Sequence, residues 1–150
     1  MILGDLEPEG YNIFTKMYPE VKVSSESVIL GQEDSACNYD KGHYTIGKEI
    51  CDPLIERVRK EVEMSDNPQG FVMHSSLSGG TGSGVMTLIL ERMHVYFPKK
   101  LIVSNLIYPS NTNDSTSVVE NYNAVRSTGS LMEHSNMVIM NTNAGISNYL

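Results

Sequence analysis

The residues best suited to chemistry form one short glycine-rich run, which reads Ser-Gly-Gly-Thr-Gly-Ser-Gly over residues 78–84. Glycine lets a backbone approach an anion closely and take up positive φ, and successive N–H groups in such a turn form an anion-binding nest. The apolar Phe71-Val72-Met73 precedes the run, and a helix-patterned stretch from Val85 to Phe97 follows it. Because a helix N-terminus adds partial positive charge, this order of strand, loop and helix predicts a phosphate-binding loop.

Other interpretations of the run fit less well. It contains no Lys, whereas a Walker A loop ends in Gly-Lys-Ser/Thr. A dinucleotide fingerprint has the spacing G-x-G-x-x-G and an acid about 20 residues on, at the end of the next strand. The next strand candidate, Leu101 to Tyr108, ends in Tyr-Pro. A flexible linker would be flanked by polar sequence, but this run lies between apolar elements. These features favour a phosphate loop over a dinucleotide site or a linker.

Two acidic side chains lie at the end of an early strand candidate. Asp5 and Glu7 are two residues apart, so they point the same way if the strand continues that far. Carboxylates are useful near a triphosphate through Mg²⁺, which takes oxygen ligands and bridges to phosphates. From the residues alone, a solvated acidic turn is the favoured interpretation of this pair.

The elements that would carry these residues follow from hydrophobic periodicity. The spacing predicts helices over Ile46–Val62, Val85–Phe97 and Val118–Leu131, and strands over Phe71–Ser76, Leu101–Tyr108 and Met137–Met140. Met1 to Leu3 reads as a short apolar run before a turn at residues 8–10, and residues 11–40 show no clear pattern. Alternating helices and strands indicate an α/β fold, a doubly wound, mostly parallel sheet with helices on both faces. Ligands bind such sheets at the carboxyl ends of the strands.

Composition narrows the class of protein. The chain has 150 residues, 40% of them hydrophobic, and a net charge of −7, which argues against non-specific nucleic-acid binding. Cys37 and Cys51 form no C-x-x-C pair, and both are interpreted as ordinary buried thiols. The four histidines show no metal-ligand spacing. Without a signal peptide or an apolar run of about 20 residues, we expect a cytosolic protein that does not bind membranes.

Several motifs in the right order make the sequence similar to the tubulin family, most of all to its α type. The glycine run resembles the family loop GGGTGSG, with Ser78 in place of the first glycine. Residues 5–8 (DLEP) and 42–50 (GHYTIGKEI) are close to tubulin stretches, and residues 118–123 (VVENYN) resemble VVEPYN. Residues 131–135 (LMEHS) resemble the α-type LEHS. The similarity covers almost the whole chain and is weakest over residues 9–27.

The resemblance implies a guanine-nucleotide site. It assigns the loop to the α- and β-phosphates of GTP, and it places Glu7 near the γ-phosphate and Mg²⁺. Each assignment has a plainer alternative: a strand-terminal cap for Ser76, a helix start for Thr116 to Glu120, and an Asn-rich turn for Asn143. The implied contacts are Glu7 for the metal and the γ-phosphate, Gly79, Gly80, Thr81 and Gly82 for the phosphates, Ser76 for the same nucleotide, Thr116 and Glu120 for the ribose side, and Asn143 for guanine.

The resemblance also implies a role. An α-tubulin-like, GTP-binding structural constituent of microtubules would pair with a β-type subunit in the cytoplasmic cytoskeleton. The alternatives are a non-polymerising guanine-nucleotide-binding relative and an inactive truncated copy. Residues 1–150 would be a partial GTP-binding domain, lacking the family's N-terminal segment and everything after the last strand. The acid that the family presents for hydrolysis has no counterpart here, so no catalytic residue is assigned and the question of enzyme activity stays open.

Three departures from the family pattern bear on this expectation. Ser78 costs about 1–2 kcal/mol if its position has positive φ. Cys37 stands where the family has an asparagine in its acidic loop. Pro53 falls inside the first long predicted helix, where it should kink the helix and cost about 3 kcal/mol.

Overall fold

The computed structural model describes residues 1–109 and 118–147. Helical turns of the π type at Lys41–Ile46 and Thr81–Val85 lead directly into the second and third α-helices, and a 3₁₀ turn at Ser25–Ser27 precedes the second strand. The strands are β1 (Leu3–Asp5), β2 (Val28–Leu30), β3 (Gly70–Ser76), β4 (Leu101–Tyr108) and β5 (Met137–Thr142). The α-helices are α1 (Pro8–Met17), α2 (Gly47–Met64), α3 (Met86–Tyr96), α4 (Glu120–His134) and α5 (Asn143–Ser147).

The described strands form two parallel sheets. In the smaller, β1 pairs with β2. In the larger, the order is β3-β4-β5, and Ser76 lies opposite Ile107, which lies opposite Asn141. Parallel pairing puts the carboxyl ends of β3, β4 and β5 at one edge, as the sequence predicted. The α/β fold with a mostly parallel sheet is therefore confirmed.

Helices lie on both sides of the smaller sheet. A Cβ built on Gly4 would run into Leu54 of α2, so this position faces α2. At the next position, Asp5 Oδ2 lies 3.0 Å from where a Cβ on Gly10 of α1 would stand. Successive residues of a strand point to opposite faces. Helices α1 and α2 therefore flank β1, which confirms the predicted layers.

Within residues 1–109 and 118–147, the larger sheet packs one face on the core and leaves the other open. Along β4, Ile102, Ser104 and Leu106 are buried, while the alternate positions Leu101 and Ile107 are exposed. The largest fully buried apolar side chains of the core come from β4, α3, α4 and the segments after β1 and β3. They are Leu6, Leu77, Leu90, Ile102, Leu106 and Leu131.

Two elements lie where the sequence predicted none. The expected turn at residues 8–10 is instead the start of α1, with Pro8 at the first helical position, where its missing N–H costs nothing. Strand β2 lies within the stretch that showed no pattern. It has three residues, too few for a periodicity signal, and its position is fixed by pairing with β1.

Helix α2 continues through Pro53. Proline leaves the carbonyl four residues back, that of Glu49, without its helical partner. Both residues lie on the exposed side of α2, where water can hydrate that carbonyl. The helix therefore continues at a position where solvent is free to replace the lost hydrogen bond.

Candidate functional site

The glycine loop forms the start of a helix. Helical backbone begins at Gly80, and the N–H of Ser83 donates to the carbonyl oxygen of Gly79 at 3.2 Å. The fully buried Ser83 hydroxyl donates to the same oxygen at 2.5 Å. The N–H groups of Gly80, Thr81 and Gly82 belong to the first turn, which has no intrahelical acceptor for them. With respect to the described residues, the loop thus presents unpaired donors at the positive end of the helix dipole.

The glycines serve close approach and not positive φ. Among the described residues, positive φ occurs at Ala36 and Cys37 and at no glycine. Ser78 therefore adopts an ordinary conformation, and the strain considered for a side chain at this position does not arise.

Gly80 is held tightly by the segment after β2. A Cβ there would stand 2.5 Å from Ser35 Oγ and 2.6 Å from the Asn38 backbone nitrogen. A Cβ on Gly79, in contrast, would meet no atom of the described chain within 4 Å. Packing within the described chain therefore requires glycine at position 80 but not at position 79, where the space is open.

Asn123, in the first turn of α4, joins the two loops. Its side chain is buried, with 3% of the residue's surface exposed. Its Nδ2 donates to the carbonyl oxygens of Cys37 at 2.8 Å and Ser78 at 2.9 Å, and its Oδ1 accepts from the N–H of Tyr39 at 3.2 Å. Only this orientation of the amide satisfies one donor and two acceptors. The loops that follow β2 and β3 are thus fixed to the helix that follows β4.

A buried polar network lies behind the loops. His43 Nδ1 is 3.1 Å from Thr87 Oγ1, which in turn lies 3.0 Å from the Tyr39 hydroxyl. On its other side, His43 Nε2 is 3.6 Å from a Glu91 carboxylate oxygen. Burial is the main cause that raises the pKa of the Tyr39 phenol above its ordinary value, and the nearby Glu91 charge adds to it. This network anchors the π-helical turn before α2 to α3.

A second contact from α4 holds the same segment from outside. The Arg126 guanidinium is 2.8 Å from Asp40 Oδ1, and its carbon lies 4.9 Å from the centroid of the Tyr39 ring. Between the Arg126 side chain and residues 36–40 is an open cleft of about 290 Å³. Cys37, Tyr122 and Asn123 line part of it. The cleft borders the turn after β2 and the start of α4 and gives solvent access to them.

Glu7 is the residue assigned to the metal. It lies just after β1 with extended backbone, and in the described part of the chain its side chain does not cap α1. Asp5 is engaged, since its Oδ1 accepts the N–H of Leu6 at 2.8 Å. Among residues 1–109 and 118–147, no group of three or more His, Cys, Asp or Glu side chains is placed to hold a metal ion. A cation here would therefore draw most of its ligands from elsewhere, as Mg²⁺ does from phosphates.

The other assigned residues lie at strand ends or helix starts. Ser76 ends β3, and its carbonyl oxygen closely approaches Gly82. Glu120 begins α4 and is buried, and Asn143 begins α5 and is exposed. Thr116 lies outside the described residues. Contacts among the described residues bring together the glycine loop, the turn after β2 and the start of α4, but no hydrogen bond among these residues joins Glu7 or Asn143 to that group.

The two cysteines differ in their surroundings. Cys51 is buried as predicted, and burial raises the pKa of its thiol. The prediction that Cys37 is buried is wrong, because the turn at residues 36–37 carries it outward with a φ of 54°. Its backbone carbonyl, not its thiol, faces the core through Asn123.

The residues that hold the loops of the site in place were not identified from the sequence. Asn123 and Tyr39 lie in stretches quoted only as matching motifs or left without pattern. A polar residue in the first turn of a helix reads equally well as solvent-exposed. Only the long-range contacts, 84 and 86 positions apart for Asn123 with Tyr39 and Cys37, show what it does.

The sequence is similar to a known protein family and to curated members of it. The family model described as Tubulin/FtsZ family, GTPase domain, matches residues 3–150. The chain is 44% identical to the tubulin alpha-1 chain of Arabidopsis thaliana over 143 residues, and 44% identical to the tubulin alpha-3 chain of Zea mays over 146 residues. These matches cover 95% and 97% of the chain but only 31% and 32% of the relatives. The chain thus spans about a third of the length of these curated relatives.

Over the described ranges, no helix has both the length and the apolar composition needed to cross a membrane.

Proposed function

The chain belongs to the Tubulin/FtsZ GTPase-domain family, and from this premise we propose that it binds the phosphates of GTP at the loop over residues 78–82. The observation that carries the proposal is the loop itself: first-turn N–H groups without helical acceptors beside the open space at Gly79. An anion placed there would gain hydrogen bonds and the favourable end of the helix dipole. The family and this geometry together support the proposal that the chain binds GTP.

The site also fits Mg²⁺ held largely by the nucleotide. Mg²⁺ commonly binds through one or two carboxylates plus substrate phosphates. Among the described residues, the Glu7 side chain makes no hydrogen bond that caps α1, and this carboxylate is the one we assign to the metal. When bound, the ion would neutralise charge between the phosphates and Glu7. Ser76, Thr116, Glu120 and Asn143 remain proposed contacts for the rest of the nucleotide.

The direct test is a calorimetric titration of the full chain with GTP and Mg²⁺, with ATP as the control nucleotide. We expect saturable binding of GTP and much weaker binding of ATP. In Gly79→Ala the added methyl group would occupy the open space, so GTP affinity should fall about tenfold or more, equivalent to ~1.4 kcal/mol. Equal binding of both nucleotides, or of neither, would contradict the proposal.

We further propose an α-tubulin-like role in the cytoplasmic cytoskeleton, with a β-type subunit and the microtubule lattice as partners. The support is the identity to two tubulin alpha chains, each about three times as long as the matched segment. The test is co-sedimentation of the chain with assembling tubulin. A chain that binds GTP but stays in the supernatant would instead support the non-polymerising relative, and a chain that does neither would support the inactive copy.

A further inference from the structure

We propose that Asn123 is a positioning residue for the nucleotide: by holding the Ser78–Gly79 peptide, it directs the N–H of Gly79 at the phosphate chain. The inference rests on the proposed function, because it names the residue that orients a donor of the same loop. Nothing in the family match assigns this side chain a task.

Asn123 fixes the direction of the peptide plane between Ser78 and Gly79. Asn123 Nδ2 binds the carbonyl oxygen of Ser78 at 2.9 Å, so that oxygen points towards α4. The described peptide bonds include no cis bond. In a trans peptide the carbonyl of one residue and the N–H of the next point in opposite directions. The N–H of Gly79 therefore points away from α4.

The N–H of Gly79 has no acceptor among the described residues and borders open space. Among the described residues, none accepts a hydrogen bond from the N–H of Gly79. The position is also the open one in the loop, with no described atom within 4 Å of an added Cβ. An unpaired donor that is held in place and borders open space is suited to an anion, since it needs no reorganisation on binding.

Asn123 also binds the turn after β2. The same Nδ2 binds the carbonyl oxygen of Cys37, and the Oδ1 binds the N–H of Tyr39. The N–H of Asn38, which lies between these two residues, donates to the carbonyl oxygen of Ser35 at 3.0 Å. The turn after β2 thus supplies no free donor at Asn38 and acts as the fixed surface against which Gly80 packs. Asn123 sets the distance between this surface and the loop.

A purely structural role would look different in one respect. Loss of a buried hydrogen bond anywhere in the core lowers stability, but molecules that remain folded should then bind GTP as before. Loss of a positioning residue weakens binding by folded molecules as well. The two roles are separated by measuring affinity well below the unfolding midpoint, beside a control that loses a buried hydrogen bond elsewhere.

The experiment uses Asn123→Asp, Asn123→Ala and the control Ser104→Ala. Aspartate keeps the size of the side chain but loses both Nδ2 donors, and alanine serves if the buried carboxylate prevents folding. Ser104 is fully buried in the middle of β4 and bonds the Ser135 hydroxyl at 2.7 Å. Titration with GTP and Mg²⁺ should show affinity about tenfold weaker in both Asn123 variants and unchanged in the control.

A spectroscopic readout reports on Gly79 itself. At 16.6 kDa the chain suits amide NMR, and saturation with GTP should move the Gly79 amide proton downfield in the unsubstituted chain. The shift should be reduced or lost in the Asn123 variants and kept in the control. No shift at Gly79 when GTP is bound, or Asn123 variants within about twofold of the parent affinity, would overturn this inference alone. No GTP binding by the unsubstituted chain would overturn the proposed function together with it.

Discussion

Gly79 and Gly80 are neighbours in the loop but differ in what surrounds them. At Gly80 an added methyl group would meet backbone and side-chain atoms at 2.5 to 2.7 Å, whereas at Gly79 it would meet no described atom within 4 Å. Neither position has positive φ, so backbone strain does not separate them. At the scale of the residue, one glycine serves the fold and the other leaves room for a ligand.

The pair gives a matched prediction on stability. Gly80→Ala should lower the free energy of unfolding by about 1–3 kcal/mol, because a methyl group is forced between Ser35 and Asn38. Gly79→Ala should change it by less than about 0.5 kcal/mol. Urea denaturation of the two variants and the parent measures this difference. A larger loss in Gly79→Ala than in Gly80→Ala would contradict the packing described here.

The buried thiol of Cys51 and the buried phenol of Tyr39 predict that stability falls at alkaline pH. Burial raises the pKa of Cys51 from 9.0 and that of Tyr39 from 10.0. The folded chain therefore keeps these protons to higher pH than the unfolded chain does. Their contribution is complete below the unfolded values and declines as pH rises through the folded ones.

Urea denaturation at a series of pH values from about 8 to 11 tests this decline. The free energy of unfolding should fall over that range, and the fall should be shallower in Tyr39→Phe, which has no phenol to ionise. Slopes are compared, since Tyr39→Phe also loses the contact of its hydroxyl with Thr87. An unchanged slope would show that Tyr39 titrates alike in both states.

Among the elements, those with long apolar stripes were predicted and those fixed by distant contacts were not. Helices α2, α3 and α4 bury residues at helical spacing, and β3, β4 and β5 border turn signals, so their positions follow from local pattern. Strand β2 has three residues and exists through its pairing with β1. The glycine loop was predicted because glycine is locally diagnostic, whereas the role of Asn123 depends on loops distant in the chain.

Pro53 is expected to lower the stability of helix α2. Pro53→Ala should raise the free energy of unfolding by about 2 kcal/mol, since alanine restores a helical hydrogen bond, less the entropy that the unfolded chain regains. Pro53 is exposed, so little packing is lost. Lys60→Ala, also exposed on α2, is the control and should stay within about 0.5 kcal/mol. A destabilised Pro53→Ala would mean that the proline is required where it stands.

At the scale of the molecule, the main feature is the face of the larger sheet that no described residues cover. Parallel sheets are normally covered on both faces. Here the side away from the core presents Val72, 63% exposed, and Met137, 55% exposed, with Ile139 beside them. These exposed apolar side chains favour association.

The uncovered face should bind apolar dyes and promote self-association of the purified chain. Val72→Lys should reduce anilinonaphthalene sulfonate fluorescence and shift the sedimentation profile towards the monomer. Its stability should stay within about 0.5 kcal/mol, since the site is exposed. Val95→Lys, exposed on α3, should change neither signal. Equal effects of both substitutions would show that charge alone, not this face, controls association.

The central claim is that the loop over residues 78–82 binds GTP, and thermal unfolding of the full chain tests it most directly. A ligand at about 100 times its dissociation constant adds roughly 2.7 kcal/mol to the folded state. For a chain of this size, GTP with Mg²⁺ should raise the unfolding midpoint by roughly 5–10 °C. ATP should leave the midpoint unchanged, and Gly79→Ala should lose most of the GTP effect. A cooperative transition that GTP does not move would contradict the account.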